Sequence, residues 1–224
     1  MPTSDLSLEA HGAQFLRALA KPMLGQLAAI AARLPEGRPG TRISSDGATA
    51  ELLDPNELIG GAIGILAGDR KRPVRAVLFD KSDRANWSLG WHQDRTIAVR
   101  HRHEIPGFGP WTVKQGIAHV EPPFVIIERM ITVRIHLDSV DADNAPLMVA
   151  LGSHRLGRIA EYRLAPLVAS CVIGTCLAEP GDVWVYATPI VHASNAAAPG
   201  QNRRVLQVDF SSDGLPDGLD WLGV

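Results

Sequence analysis

The run Arg129-Met130-Ile131-Thr132-Val133-Arg134-Ile135-His136-Leu137-Asp138 alternates strictly, with Ile131, Val133, Ile135 and Leu137 on one side and Thr132, Arg134, His136 and Asp138 on the other. Successive side chains of an extended chain point to opposite faces, so this segment reads as a β-strand with one apolar and one polar face. Arg203 to Phe210 repeats the device, setting Leu206, Val208 and Phe210 against Arg203, Val205, Gln207 and Asp209. The apolar faces are expected to pack under a covering layer. The polar faces must look into solvent or into an internal cavity.

Outward from these two strands, the chain from Arg75 onward consists of short runs rich in Val, Ile and Trp, separated by Gly, Pro, Asn and Asp clusters. That is the pattern of an all-β sandwich or jelly roll. Upstream the texture is helical. Between Leu6 and Leu34 the apolar residues Leu8, Phe15, Leu16, Leu19, Leu24 and Leu27 recur near helical period, with Pro22 and Gly37 as punctuation, which predicts two short amphipathic helices. After a loop near Pro39-Gly40, Asp54-Pro55-Asn56-Glu57 marks a helix start, with Asp54 or Asn56 as cap. Leu58 to Leu66 forms its body, weakened by Gly60, Gly61 and Gly64. The expected architecture is mainly β: one domain over residues 1–224, with a β core at 75–212 and helical support from 1–70 packed on the outer face of one sheet.

Lysine and arginine number 22 against 24 aspartate and glutamate, a net charge of -2 over 224 residues. Such a balance argues against nucleic acid or a membrane surface as partner and favours a small-molecule substrate. The start Met1-Pro2-Thr3-Ser4-Asp5 lacks the basic-then-apolar sequence of a secretory signal, and no apolar run approaches membrane-spanning length. A cytoplasmic protein is expected. Cys171 and Cys176 are too few to staple a fold and match no common zinc spacing, so they read as buried thiols.

The residues that carry chemistry are His92-Gln93-Asp94 and, a hundred positions later, His192. Residues of period two share a face, so His92 and Asp94 would leave one strand in the same direction. His192 closes Thr188-Pro189-Ile190-Val191-His192, expected to be a strand returning across the barrel with the third ligand. Two imidazoles and a carboxylate on one face of an octahedron leave three positions open, which is what a catalytic Fe(II) requires. Zinc accepts the same ligands, so these three residues do not name the metal. Arg203, eleven positions after His192 and on the polar face of its strand, can grip a carboxylate through two parallel hydrogen bonds. Ser194 shares the face of His192 and offers a hydroxyl. Together they point to a dicarboxylate that chelates iron at one end and is anchored at the other, which is 2-oxoglutarate.

The stretch from about Leu78 to Phe210 resembles the phytanoyl-CoA dioxygenase family of Fe(II)/2-oxoglutarate oxygenases. The resemblance rests on motifs in order: Trp91-His92-Gln93-Asp94, Asp143-Asn144-Ala145-Pro146-Leu147, Leu151-Gly152-Ser153-His154-Arg155, Pro180-Gly181-Asp182, His192-Ala193-Ser194 and Arg203. It implies a double-stranded β-helix, with iron held by His92, Asp94 and His192 and 2-oxoglutarate held by Arg203 with help from Ser194. It also implies that Gln93 lines the co-substrate pocket and that Arg134 contacts co-substrate or substrate. The implied reaction uses O₂ to hydroxylate an unactivated C–H bond of a small organic molecule, releasing succinate and CO₂. Halogenating relatives replace the carboxylate with a small residue; Asp94 is present, which favours hydroxylation. The family often has Asn-Gly and Pro-Gly-Ser-His where this chain has Asn144-Ala145 and Leu151-Gly152-Ser153-His154, departures that touch turns rather than ligands.

Two rival readings use the same residues: a non-catalytic jelly-roll protein that binds a metal or metabolite, and a zinc-dependent hydrolase or lyase of cupin type. The remaining polar residues have plainer readings. His101, Arg102 and His103 form a solvated loop, His119 and His136 are packing or surface histidines, and His154 orders a turn. Trp87 and Trp91 belong to the core around the site entrance, and Lys81 belongs to the surface. The segments that would select a substrate, Lys81 to Gly90 and His101 to Glu121, carry no readable code, and nothing indicates an oligomeric state.

Overall fold

In the computed structural model, residues 3–35, 38–44, 46–216 and 218–224 are described; Met1, Pro2 and the punctuating Gly37 lie outside them. In chain order the elements are α1 (Leu8–His11), β1 (Ala13–Leu16), α2 (Leu24–Ala32), β2 (Thr41–Ile43), α3 (Gly47–Leu52), α4 (Leu58–Ala67), β3 (Arg72–Lys81), β4 (Leu89–His92), β5 (Ile97–Val99), β6 (Trp111–Lys114), β7 (Ile117–Val120), α5 (Phe124–Glu128), β8 (Ile131–His136), β9 (Leu147–Ala150), α6 (Glu161–Ser170), β10 (Ile173–Cys176), β11 (Val183–Ala187), β12 (His192–Ser194) and β13 (Arg203–Ser211). An antiparallel six-stranded sheet runs β1-β11-β8-β13-β3-β2, a four-stranded sheet β10-β9-β12-β4, and a small sheet β5-β7-β6.

The two alternating strands, β8 and β13, are neighbours at the centre of the six-stranded sheet. Their apolar faces, Ile131, Val133 and Ile135 with Leu206, Val208 and Phe210, meet Leu27, Ile30, Leu52, Leu53, Ile59 and Ile63 of the helical layer. Helices therefore cover the outer face of one sheet, as expected. The polar faces are buried as well: Thr132, Arg134, His136, Arg203, Gln207 and Asp209 are all inaccessible. They look into the molecule, toward the four-stranded sheet, and the choice between solvent and cavity falls to the cavity. A second core, in which Trp184 and Tyr186 of β11 meet Leu147, Val149 and Cys176 of β9 and β10, joins the two sheets. Two antiparallel sheets closed face to face in this way make the jelly roll, or double-stranded β-helix.

The front of the chain is less helical than its periodicity suggests. α1 is a single turn capped by Ser7, whose Oγ accepts from the Ala10 N–H at 3.2 Å, and it stops at Gly12. Gly12 has φ 77, and a Cβ there would lie 2.3 Å from the His154 ring, so only glycine fits. The chain then turns extended: Phe15 points inward onto Trp184 at 5.1 Å between centroids, while Leu16 packs on the helical-layer core. β1 and β2 thus complete the two edges of the large sheet. In α4 the Asp54 carboxylate caps an Asx turn at the Asn56 N–H, 2.8 Å, rather than the helix itself. Gly60, which weakened that helix on propensity, is required by packing, because a Cβ there would sit 2.2 Å from the Asp54 carbonyl oxygen. No described helix is long and apolar enough to cross a membrane. Both cysteines are free; Cys176 is buried but Cys171 only partly so.

Candidate metal centre

His92 ends β4 and His192 begins β12, and the two are direct partners across the antiparallel pair. Thr188 to Ile190, expected as strand, form a turn that delivers His192 to the start of its strand. The imidazoles lie 4.3 Å apart between centroids, inclined at 57°. Each Nδ1 faces a backbone carbonyl two residues upstream, Gly90 O at 2.8 Å for His92 and Ile190 O at 2.9 Å for His192. A carbonyl only accepts, so each Nδ1 carries the proton and each Nε2 keeps its lone pair for a metal. Asp94 stands just beyond the end of β4 rather than within it, and its carboxylate closes the set: donor atoms of His92, Asp94 and His192 lie within 4.8 Å of one another.

The electrostatics suit ligation. Burial holds His192 down at about 4, against the pull of Asp94, so the ring is neutral in the physiological range. Burial would raise Asp94, but His192, Arg75 and His92 outweigh it and keep the carboxyl below its ordinary range. Arg75 fixes that carboxylate from behind. Its Nη2 lies 3.8 Å from Asp94 Oδ2, and its Nε donates to Asp209 Oδ2 at 2.6 Å. The other Asp209 oxygen accepts from Thr132 Oγ1 at 3.1 Å, and Thr132 in turn meets Thr188 Oγ1 at 3.0 Å. The donor set and its backing fit a divalent metal with open positions.

Beside these ligands is a cavity of about 80 Å³, lined among others by Phe79, Lys81, Trp87, Arg134, Ser194, Arg203 and Gln207. Arg203 is 2% exposed; its Nη1 donates to the Ala145 carbonyl, and its Nε has no partner among the described residues. Burial and the nearby Arg134 press its guanidinium down to about 9, which still leaves a cation. Ala145 holds φ 50, a left-handed conformation that glycine adopts without strain. The Asn144-Ala145 departure is therefore not confined to the turn, since it aims a carbonyl at Arg203. Ser194 Oγ lies 3.4 Å from the same carbonyl oxygen. Arg134 donates to Gln207 Oε1 at 2.8 Å and lies over the Phe79 ring.

Two expectations need correction. Gln93 does not reach the cavity: its amide donates to Gly157 O at 3.0 Å and Pro189 O at 2.7 Å and accepts from the Ile159 N–H at 2.8 Å. It sits on the face opposite to its two neighbours and ties the metal strand to the loop before α6. Lys81 is not on the surface. It is 1% exposed, directly across from Arg203 in the β3–β13 register, and its Nζ donates to Trp87 O and Asn195 O, each at 2.7 Å, and to Ser194 Oγ at 3.2 Å. Its alternation with Arg75, Val77 and Phe79 was the available signal, because that face carries the other inward groups.

Of the remaining residues, His101, Arg102 and His103 are exposed. Trp87 lines the cavity, and Trp91 packs against Ala150, Ile159, Leu164 and Val191. His136 is buried with both ring nitrogens unpartnered among the described residues, and burial keeps it neutral. In the Gly-Ser-His turn it is Ser153, through Oγ accepting from the Val191 N–H at 2.9 Å, that ties the turn to the segment leading into His192.

No protein-family model and no curated protein matches the chain. Solved structures do. The non-haem α-ketoglutarate-dependent carbocyclase SnoK from nogalamycin biosynthesis is 16% identical, with a TM-score of 0.65 over 97% of this chain and 91% of that one. EctD from S. alaskensis, solved with 2-oxoglutarate and 5-hydroxyectoine, is 17% identical, with a TM-score of 0.64 over 97% and 78%. HygX from Streptomyces hygroscopicus, with nickel and 2-oxoglutarate bound, is 12% identical, with a TM-score of 0.61 over 91% and 84%. At such identities the likeness is one of fold, and it extends over nearly the whole chain.

Proposed function

We propose that the protein is an Fe(II)- and 2-oxoglutarate-dependent oxygenase of the phytanoyl-CoA dioxygenase type that hydroxylates a small organic molecule. The observation that carries this reading is the pairing of His92, His192 and Asp94, whose donor atoms converge, with a cavity whose far end presents Arg203 and Lys81, neither of them in an ion pair among the described residues. The bound metal and co-substrate would supply the activation of O₂ and the oxidising power, with succinate and CO₂ as by-products. His92 and His192 offer Nε2 atoms in a fixed tautomer, and Asp94 offers a carboxylate braced by Arg75. Arg203, with Lys81 and Ser194 beside it, would grip the distal carboxylate of 2-oxoglutarate, and Arg134 adds a further positive charge to that end. Trp87 and Phe79 wall this space and limit its water.

The fold also serves a carbocyclase and an epimerase among its structural relatives. Hydroxylation is favoured because Asp94 fills the position that halide chemistry would need open, and product analysis decides it. The test is oxygen-dependent conversion of 2-oxoglutarate to succinate by Fe(II)-loaded protein. His92→Ala and His192→Ala should each abolish turnover and metal retention; turnover at the wild-type rate in either would sink the metal assignment. A non-catalytic binder would show no turnover, and a zinc enzyme no visible charge-transfer band when 2-oxoglutarate is added to the Fe(II) protein without oxygen.

A further inference from the structure

The cavity is small. At about 80 Å³ it is well under the roughly 300–1,000 Å³ of pockets that enclose drug-sized ligands. With 2-oxoglutarate in place it would have little room for a second molecule, which would then meet the site from outside, beside Asp94. β2 runs beside β3, whose Arg75 stands behind Asp94, and Lys114 of the β6–β7 hairpin is near enough to Asp94 to help hold its carboxyl down. Gln115 at the hairpin tip donates from Nε2 to Gly40 O at 2.6 Å and accepts from the Arg42 N–H at 3.5 Å, latching the hairpin to β2.

Arg42 pairs with Val77 across β2 and β3, and Val77 pairs with Gln207, so Arg42 shares the inward face with Arg134 and Gln207. Its Nε donates to His119 Nε2 at 3.4 Å. His119 is fully buried, its Nδ1 donates to Ile117 O at 2.9 Å, and burial holds it neutral with a pKa of about 4. It therefore aims the guanidinium without cancelling its charge. The two Nη atoms of Arg42 make no bond among the described residues, and Lys114, next to Gln115, has no hydrogen bond or ion pair there. Lys114 stands close enough to Arg42, Arg75 and Asp94 to feel all three charges. Arg75 is already held by Asp209 and Asp94, which leaves Arg42 and Lys114 as nearby cations in no ion pair among the described residues.

The charge of the whole site points the same way. Among the described residues, Asp94 is the one acid lining a cavity that also presents Lys81, Arg134 and Arg203. A 2-oxoglutarate dianion spends one carboxylate on the metal and one on the Arg203 end, and positive charge remains beside Asp94. The half-buried Arg42 is a partly desolvated cation without a counter-charge among the described residues, and an anionic ligand would supply one.

We infer that the primary substrate is an organic oxyanion, a carboxylate or a phosphate ester, whose charged group is held by Arg42 and Lys114 while its C–H bond faces the metal. This rests on the oxygenase reading above and names the substrate class for it. The probe is inorganic sulfate, titrated by calorimetry into nickel-loaded protein saturated with 2-oxoglutarate, so that the Arg203 end is already filled. Sulfate should bind saturably to the wild type and at least tenfold more weakly to Lys114→Met and to Arg42→Met/Lys114→Met; Lys114 is exposed, so its single variant guards against misfolding. Absence of saturable binding to the wild type, or undiminished binding to the variants, overturns the inference. So does a parallel loss of 2-oxoglutarate affinity, which would assign these cations to the co-substrate. So does oxidation of a methyl ester as fast as its parent acid. Titration of 2-oxoglutarate itself into the same protein separates the two levels: if it fails to bind, the oxygenase reading falls, whereas if it binds and sulfate does not, only the substrate class falls.

Discussion

Arg75 and Arg203 are both buried guanidinium groups on the inward face of the same sheet, yet they are held in opposite ways. Arg75 is gripped by Asp209 at 2.6 Å and leans on Asp94; these acids outweigh burial and raise its pKa. Among the described residues Arg203 pairs with no acid; it meets a backbone carbonyl, with Lys81 and Arg134 lining the same cavity. A buried charge paired inside the chain is costly to strand, and a buried charge left unpaired costs stability unless a ligand supplies the counter-charge. The contrast divides the interior into a braced end behind the metal carboxylate and a receptive end where the co-substrate would lie.

The sharpest way to break the contrast is to remove the acid at the braced end. Asp209→Ala strands Arg75 and the Thr132 hydroxyl, and breaking one partner of a buried pair costs about 3–5 kcal/mol. Urea denaturation should show that loss, with a lower metal affinity because Arg75, released from Asp209, pairs more closely with Asp94 and competes for its carboxylate. A stability change under about 1 kcal/mol would mean that the pair is not structural.

At the receptive end, Arg203→Met should act on binding and spare the fold. Loss of 2-oxoglutarate affinity of roughly 2–5 kcal/mol is expected for a desolvated charge pair, read from the Fe(II) charge-transfer band without oxygen. The denaturation midpoint should hold or rise, since an uncompensated buried cation has been removed. If the midpoint fell as far as it does in Asp209→Ala, the two arginines would not differ in kind.

Lys81→Met is expected to have a smaller effect, about tenfold on 2-oxoglutarate affinity, in keeping with roughly 1.5–3 kcal/mol for a hydrogen bond to a charged group. Lys81 is also where the sequence was least legible. The alternation of β8 and β13 revealed both strands, and the His92, Asp94, His192 and Arg203 spacing revealed the site, because those signals are local or motif-bound. A lysine at a strand end carries the surface prior of its residue type, and only its register with Arg203, a long-range pairing, shows that it is buried. β1 was misread for a related reason: Phe15 and Leu16 are adjacent apolar residues that satisfy a helical count and a two-sided edge strand equally well. Gln93 sits between two ligands in the chain, but a strand places it on the opposite face, so adjacency in sequence gave the wrong neighbourhood.

The finest test of the receptive end is its pH dependence. Burial, then Arg203 and Arg134, lower Lys81 to about 8, so in the free protein it is a cation below that pH and neutral above it. A carboxylate bound beside it favours the charged form and raises its pKa, so binding takes up a proton when the pH lies between the free and bound values. The affinity for 2-oxoglutarate should therefore be constant below about pH 7.5 and weaken as pH rises through 8, by at most tenfold per pH unit. His192, held at about 4, and Asp94, held below the ordinary carboxylate range, are already in their ligating states across that window and contribute no slope. Lys81→Met should flatten the profile at the weaker affinity up to about pH 8.5, above which Arg203, held down to about 9, adds a slope of its own. A wild-type profile that is flat to pH 8.5, or a slope between about pH 7.5 and 8.5 that persists in Lys81→Met, would show that the charge on Lys81 is not felt by the co-substrate.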